Sequence, residues 1–198
     1  MPNKQAIVLY LSLLFMQLGF AFIMPGVKQQ GLPVSSLGGR TLTYHCNAYT
    51  SLYATLALIA TLHYTRIFNI ASIIDLYGPL LTTASITGFG LAAGTYIVGD
   101  RYRMSGNLIY DYFMGSSLNP RIGTVDIKMF CEIRVSWMIL FMFAISCCAK
   151  QYETYGYVSA NAGLFAYGTW LYLNACAKGE QYIPQTWGLS FHHSSESR

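Results

Sequence analysis

Four runs of 22 to 25 residues without a single Asp, Glu, Lys or Arg constrain this chain more than anything else in it. They are Ala6–Val27, Thr41–Thr65, Leu76–Gly99 and Thr154–Ala177. Each meets the need for about 20 residues to cross about 30 Å of hydrocarbon as a helix. Only 10% of the 198 residues are charged while 54% are hydrophobic. A soluble domain carries about 25% charge, so this chain lacks the groups to dress a water-facing surface. Disorder is excluded as well, because it requires low hydrophobicity. A net charge of +4, scattered along the chain, is too weak for a nucleic-acid surface.

The reading is an all-α polytopic membrane bundle with about five helices. The fifth candidate is the least regular. Val135–Ala149 is uncharged for 15 residues, about 22 Å of helix, which falls short of a crossing. Extending it back to Asp126 supplies length and brings in Asp126, Lys128, Glu132 and Arg134. Two readings stay open: a headgroup-level first turn with a Lys128–Glu132 pair, or a start that borders a water-accessible cavity. With alternating helices, one side holds nine Lys and Arg, including Lys28, Arg40, Arg121, Lys128 and Arg134, against three on the other. The positive-inside rule then makes the long connection 100–134 cytoplasmic. The same alternation leaves the N-terminus on the opposite side, which implies upstream sequence.

Motifs for soluble chemistry are absent. The five cysteines, Cys46, Cys131, Cys147, Cys148 and Cys176, form no CxxC arrangement and read as small buried hydrophobes, so no metal centre is expected. Gly88, Gly90 and Gly94 do not make the dinucleotide fingerprint. The Gly90–Gly94 spacing reads as GxxxG, a device for close helix packing.

The chemically rich segment is Gly106–Gly123, GNLIYDYFMGSSLNPRIG, followed by Asp126–Arg134, DIKMFCEIR. It packs Asn107, Tyr110, Asp111, Asn119, Arg121, Asp126, Lys128, Glu132 and Arg134 among aromatics. Asn119-Pro120 is a turn signal, and Asp111 and Arg121 have the charges to pair. A self-bonded re-entrant or cytoplasmic loop accounts for the composition as well as a functional site does.

These two strings resemble the signature of the sterol reductase family, which includes sterol C-14 reductases, sterol C-24(28) reductases, 7-dehydrocholesterol reductase and the lamin B receptor membrane domain. The segment from Met24 through Pro33, with Leu37-Gly38 and Tyr44-His-Cys-Asn47, is similar to the family's opening pattern. Lys150–Tyr157 and Asn174–Glu180 are similar to the C-24(28) branch. The resemblance covers roughly residues 6–187, the N-terminal part of a reductase membrane domain, leaving 188–198 as a divergent polar tail.

The resemblance implies reduction of a sterol carbon–carbon double bond with NADPH in the endoplasmic reticulum membrane, in company with other enzymes of sterol synthesis. A proton adds to one carbon and hydride to the other. Such chemistry requires a buried acid and a dry pocket, which makes Glu132, Asp111 and Tyr110 the candidate proton donors. Asn107, Asn119, Pro120, Arg121, Asp126, Lys128 and Arg134 are the candidate motif residues. Trp137, Phe130, Phe113 and Met129 are candidates to line a sterol cavity. The family's nucleotide pocket belongs to a C-terminal half that nothing after Trp187 resembles, so a truncated chain, inactive alone, is expected. The alternative is a catalytically silent membrane fragment that binds sterol or a partner. A small transporter lacks the broken helices that would support it.

Overall fold

A computed structural model describes residues 2–34, 38–98, 106–114, 120–158 and 160–173. The expected tail 188–198 and Asn119 lie outside the described residues. Helix α1 (Lys4–Ile23) starts where the Asn3 side chain accepts a hydrogen bond from the Ala6 N–H at 2.8 Å, an N-cap that satisfies one orphan donor. A β-hairpin follows, β1 (Val27–Val34) antiparallel to β2 (Arg40–Cys46), with Lys28 opposite His45 and Gln29 opposite Tyr44. Next come α2 (Ala48–Tyr64), the short α3 (Ser72–Asp75) and α4 (Tyr77–Val98). After α5 (Leu108–Met114), a two-residue ladder joins β3 (Arg121–Ile122) to β4 (Val125–Asp126), with Gly123 at φ 60° in its turn. One long helix then begins as α6 (Ile127–Met129), widens into a π-helical turn (Phe130–Val135) and continues as α7 (Ser136–Tyr155). The last element is α8 (Ala160–Leu171).

Among the described residues, three helices are long and apolar enough to cross a membrane: Lys4–Ile23, Tyr77–Ile97 and Ile127–Tyr155. The architecture is thus mostly helical and polytopic. The boundaries depart from the charge-free runs at two places. The run 41–65 divides into strand β2 and a 17-residue helix, because the first residues pair with β1 instead of propagating a helix. The run 154–177 is interrupted at Gly156, whose φ of 75° ends α7 with its N–H on the Tyr152 carbonyl at 2.8 Å. Glycine adopts that left-handed conformation without a Cβ penalty.

The main core joins α1, α2, α4 and α7 around Tyr10, Leu52, Leu80, Met138 and Phe141. Helix α8 packs closely on α7: a Cβ added to Gly168 would stand 3.3 Å from Ala144 Cβ, and the Asn161 amide donates to the Cys147 carbonyl at 3.1 Å. On the side away from the hairpin, Lys150 pairs with Asp75 at 2.7 Å and Asn69 donates to Glu153 at 2.8 Å. Among the described residues no helix packs closely on the Gly90–Gly94 pair. Nothing among the described residues comes within 4 Å of a Cβ built on Gly88, Gly90 or Gly94, since α1 and α5 meet α4 on other faces.

Candidate functional site at the start of the long membrane helix

The site is built where the hairpin, α1 and the long helix meet. Asp126 has extended backbone and accepts from the Met129 N–H at 3.1 Å, so it is the N-cap of the long helix. It is 4% exposed. Pro120 closes the same corner by accepting from the Ile127 N–H at 2.8 Å. Beyond the cap, the π turn leaves backbone carbonyls without their usual partners, and Ser136 donates both its N–H and its hydroxyl to the Cys131 carbonyl. Single π turns recur at functional sites because they re-aim the side chains around them.

That widening helps separate the two charges of the turn. Glu132 is exposed, whereas Arg134 is 2% exposed. Lys128 is partly buried on the same turn. The extension of the helix back to Asp126 is real, and both Asp126 and Arg134 point into the protein.

Arg134 is held by residues of α2 and its approach. Its Nη2 donates to Asn47 Oδ1 at 2.6 Å and its Nη1 to Ser51 Oγ at 3.2 Å. Asn47 uses its other end on α1, its Nδ2 donating to the carbonyls of Phe20, Ala21 and Met24 at 3.0, 3.2 and 2.8 Å. Its two N–H donors are thus shared among three carbonyls at the C-terminal end of α1, of which the Phe20 carbonyl also accepts from the Met24 N–H. The polar strip continues between α2 and α1: Thr55 donates to the Ser51 carbonyl at 2.7 Å, and Gln17 Nε2 donates to Thr55 Oγ1 at 2.8 Å. Ser51, Thr55 and Gln17 were not singled out from the sequence, and Asn47 was named only within the opening pattern of the resemblance. Their signal was present as polar residues spaced by four, 47, 51 and 55, inside an apolar run.

A cavity of about 40 Å³ opens beside this strip, lined by Tyr44, His45, Asp126, Met129, Phe130 and Arg134 among others. It is large enough for about one to three waters. Arg121 braces its outer wall, donating from Nη2 to the Thr43 carbonyl at 2.7 Å and stacking over the Tyr44 ring at 4.7 Å. Arg121 therefore does not pair with Asp111. Burial pushes the Tyr44 phenol up to about 12, the negative charge of Asp126 adds to the rise, and Arg121 partly opposes it.

The GNLIYD string builds a second, separate place. Asn107 accepts from the N–H groups of Ile109 and Tyr110 at 3.1 and 3.2 Å and caps α5. Asp111, 2% exposed, accepts from the Gly106 N–H at 3.2 Å. Tyr110 is 55% exposed and faces an open hollow with Asn107, Ile109 and Phe113. Of the expected cavity-lining aromatics, only Phe113 stands at this hollow. Phe130 and Met129 line the small cavity, and Trp137 packs on the main core.

Neither place suits a dinucleotide. The small cavity is an order of magnitude below the usual ligand-site volume of roughly 300–1,000 Å³, and the hollow at α5 has no cation on its wall. The described residues thus do not fit NADPH. Among them there is also no group of three or more His, Cys, Asp and Glu able to hold a metal.

Comparison with known proteins gives this geometry a context. The chain is 43% identical to a Delta(24(24(1)))-sterol reductase of Gibberella zeae and 37% identical to one of Aspergillus fumigatus, each over 96% of its length. It is 36% identical to a Delta(14)-sterol reductase of Dictyostelium discoideum over 80% of its length. It spans 33%, 41% and 35% of those relatives. Residues 1–193 match the family described as "Ergosterol biosynthesis ERG4/ERG24 family", and the chain belongs to that sterol reductase family.

Proposed function

We propose that this chain is the N-terminal part of an NADPH-dependent reductase of the endoplasmic reticulum that saturates the C24(28) double bond of a sterol side chain. The observation that carries the reading is the pair of Delta(24(24(1)))-sterol reductases matched over 96% of the chain at 43% and 37% identity. Two Delta(14)-sterol reductases match at 36% and 33% identity, below the 43% of the Gibberella zeae relative, which favours the side-chain bond over the ring bond.

In this reading the 198 residues supply the membrane frame and an acid, while the nicotinamide is bound by sequence outside the described residues. Glu132 is our candidate proton donor. Asp111 is committed to the start of α5 and Asp126 to the cap of the long helix, which leaves Glu132; it is exposed among the described residues, not buried as expected, so in this reading sequence outside them covers it. Arg134, Asn47 and Ser51 fix the turn that carries it. Asn107, Pro120, Arg121, Asp126 and Lys128 keep the surrounding loop in register, and Asn119 belongs to the same motif. The chain alone is expected to be inactive.

The test is sterol-dependent NADPH oxidation by membranes. Membranes carrying the chain joined to the C-terminal part of the Gibberella zeae relative should oxidise NADPH when given a C24(28)-unsaturated sterol. Membranes carrying the 198 residues alone should not. Activity on a C14-unsaturated sterol in its place would overturn the assignment of the bond.

A further inference from the structure

Helix α5 lies against a membrane-spanning helix instead of standing off in water. The Tyr112 hydroxyl donates to the Phe89 carbonyl at 2.9 Å, and its ring sits 6.4 Å from that of Tyr96. Phe89 is eight residues inside the end of the span at Ile97, about 12 Å along the helix axis. The Tyr112 contact therefore reaches well below the membrane surface, and α5 flanks the last turns of α4. Its polarity agrees with that depth. Asp111 faces inward at 2% exposure, while Leu108, Ile109 and Phe113 face outward at 67, 69 and 72%. An acid inside and branched and aromatic side chains outside is the arrangement for a helix whose outer face meets hydrocarbon.

On that outer face, Asn107, Ile109, Tyr110 and Phe113 line an open, largely apolar hollow of about 390 Å³. The Asn107 side-chain oxygen is engaged by the α5 cap. The Tyr110 hydroxyl is the one hydroxyl on the wall, with no partner among the described residues.

We infer that this hollow is a sterol-contact site, with the rings of the sterol against Ile109 and Phe113 and the sterol alcohol at the Tyr110 hydroxyl. The inference rests on the proposed function for its choice of ligand and adds a location and a polar contact to it. Rigid aromatic and branched walls suit a rigid alicyclic body, because neither side loses much rotamer freedom on contact. The volume lies within the roughly 300–1,000 Å³ of small-molecule sites. A wall with one hydroxyl and no charge matches a hydrocarbon bearing a single alcohol, and it has no cation to hold a phospholipid's phosphate.

The experiment uses the full 198-residue chain in detergent micelles and a ring-diazirine sterol with a free 3-hydroxyl. Photolabel should map to residues 107–113 and be displaced by unlabelled ergosterol but not by dioleoylphosphatidylcholine. Phe113→Ala should lower labelling, and Leu108→Ala, exposed but off the wall, should leave it unchanged with the same helical circular dichroism. Tyr110→Phe should cost about fivefold in competition by free sterol, the worth of one hydrogen bond, and nothing for the 3-methyl ether. Label elsewhere, equal displacement by the phospholipid, or indifference to Phe113→Ala would overturn the site. Labelling here without sterol reduction in the joined protein would overturn the proposed function alone, and reduction with the label elsewhere would overturn this inference alone.

Discussion

The Arg134 guanidinium and the Asn47 amide meet at 2.6 Å in a place where Arg134 is 2% and Asn47 also 2% exposed. One side chain on the approach to α2 thus accepts from a buried cation of the long helix and donates to the carbonyls at the C-terminal end of α1. Replacing Asn47 by Leu strips acceptors and donors from both neighbours at once. The expected loss is at least about 2 kcal/mol, since groups buried without partners bear their full desolvation cost. Thermal unfolding of the chain in detergent should show a fall of several degrees. Arg134→Lys in an otherwise native chain should also lower the melting temperature, because an ammonium cannot reproduce the fork to Asn47 and Ser51.

Gln17 predicts the opposite behaviour at the other end of the same polar strip. It is 0% exposed and its Oε1 has no hydrogen-bond partner among the described residues. Thr55 spends its hydroxyl proton on the Ser51 carbonyl, so turning the amide over would not help. Gln17→Leu removes one hydrogen bond together with one unsatisfied atom. Stability should change by less than about 1 kcal/mol in either direction, in keeping with the modest worth of single polar contacts between membrane helices. A melting temperature matched to the native chain would bear this out.

Tyr44 makes the packing of the hairpin depend on alkaline pH. Its folded-state value of about 12 lies above the ordinary value of 10.0, so the folded chain favours the neutral phenol. That contribution is complete below pH 10 and is lost as pH rises through 12. Ultraviolet titration of tyrosine ionisation should show a late step that Tyr44→Phe removes. The variant's stability should also fall less steeply between pH 10 and 12.

Gly26 is required by contact. A Cβ there would stand 2.5 Å from both Asn47 Cβ and the Cys46 carbonyl oxygen, and the latter is backbone that cannot swing aside. Gly26→Ala should destabilise by roughly 1–3 kcal/mol, the usual range for overpacking. Gly94→Ala, with nothing among the described residues within 4 Å, should not destabilise and should gain up to about 1 kcal/mol from helix propensity. Parallel melts of the two variants decide the matter.

The membrane helices were legible because a charge-free run of 20 residues is a physical requirement, visible without any structure. Their ends were less so. Arg40–Cys46 reads as the start of an apolar run, yet it pairs with Val27–Val34, and pairing between distant strands leaves no mark in a local charge count. Asn107, Asp111 and Asp126 stood out as ionisable or polar residues, but their work as helix caps depends on backbone geometry. The Gly90–Gly94 spacing was clear and its partner was not, because a spacing says a surface is smooth without saying what lies on it. Ser51 and Thr55 were passed over since single hydroxyls within apolar helices are common. Their meaning came only from the buried arginine brought to them by a helix 83 residues further along the chain.

The sterol profile of cells tests the central claim most directly. A fungus lacking its own C24(28) reductase would express the chain joined to the C-terminal part of the Gibberella zeae relative, and its sterols would be analysed by gas chromatography and mass spectrometry. The account predicts that the side-chain double bond is reduced, and that Glu132→Gln abolishes the reduction with the protein still in the membrane. Persistence of the unsaturated sterol, with the joined protein present in the membrane at the level of the functional relative, would contradict it.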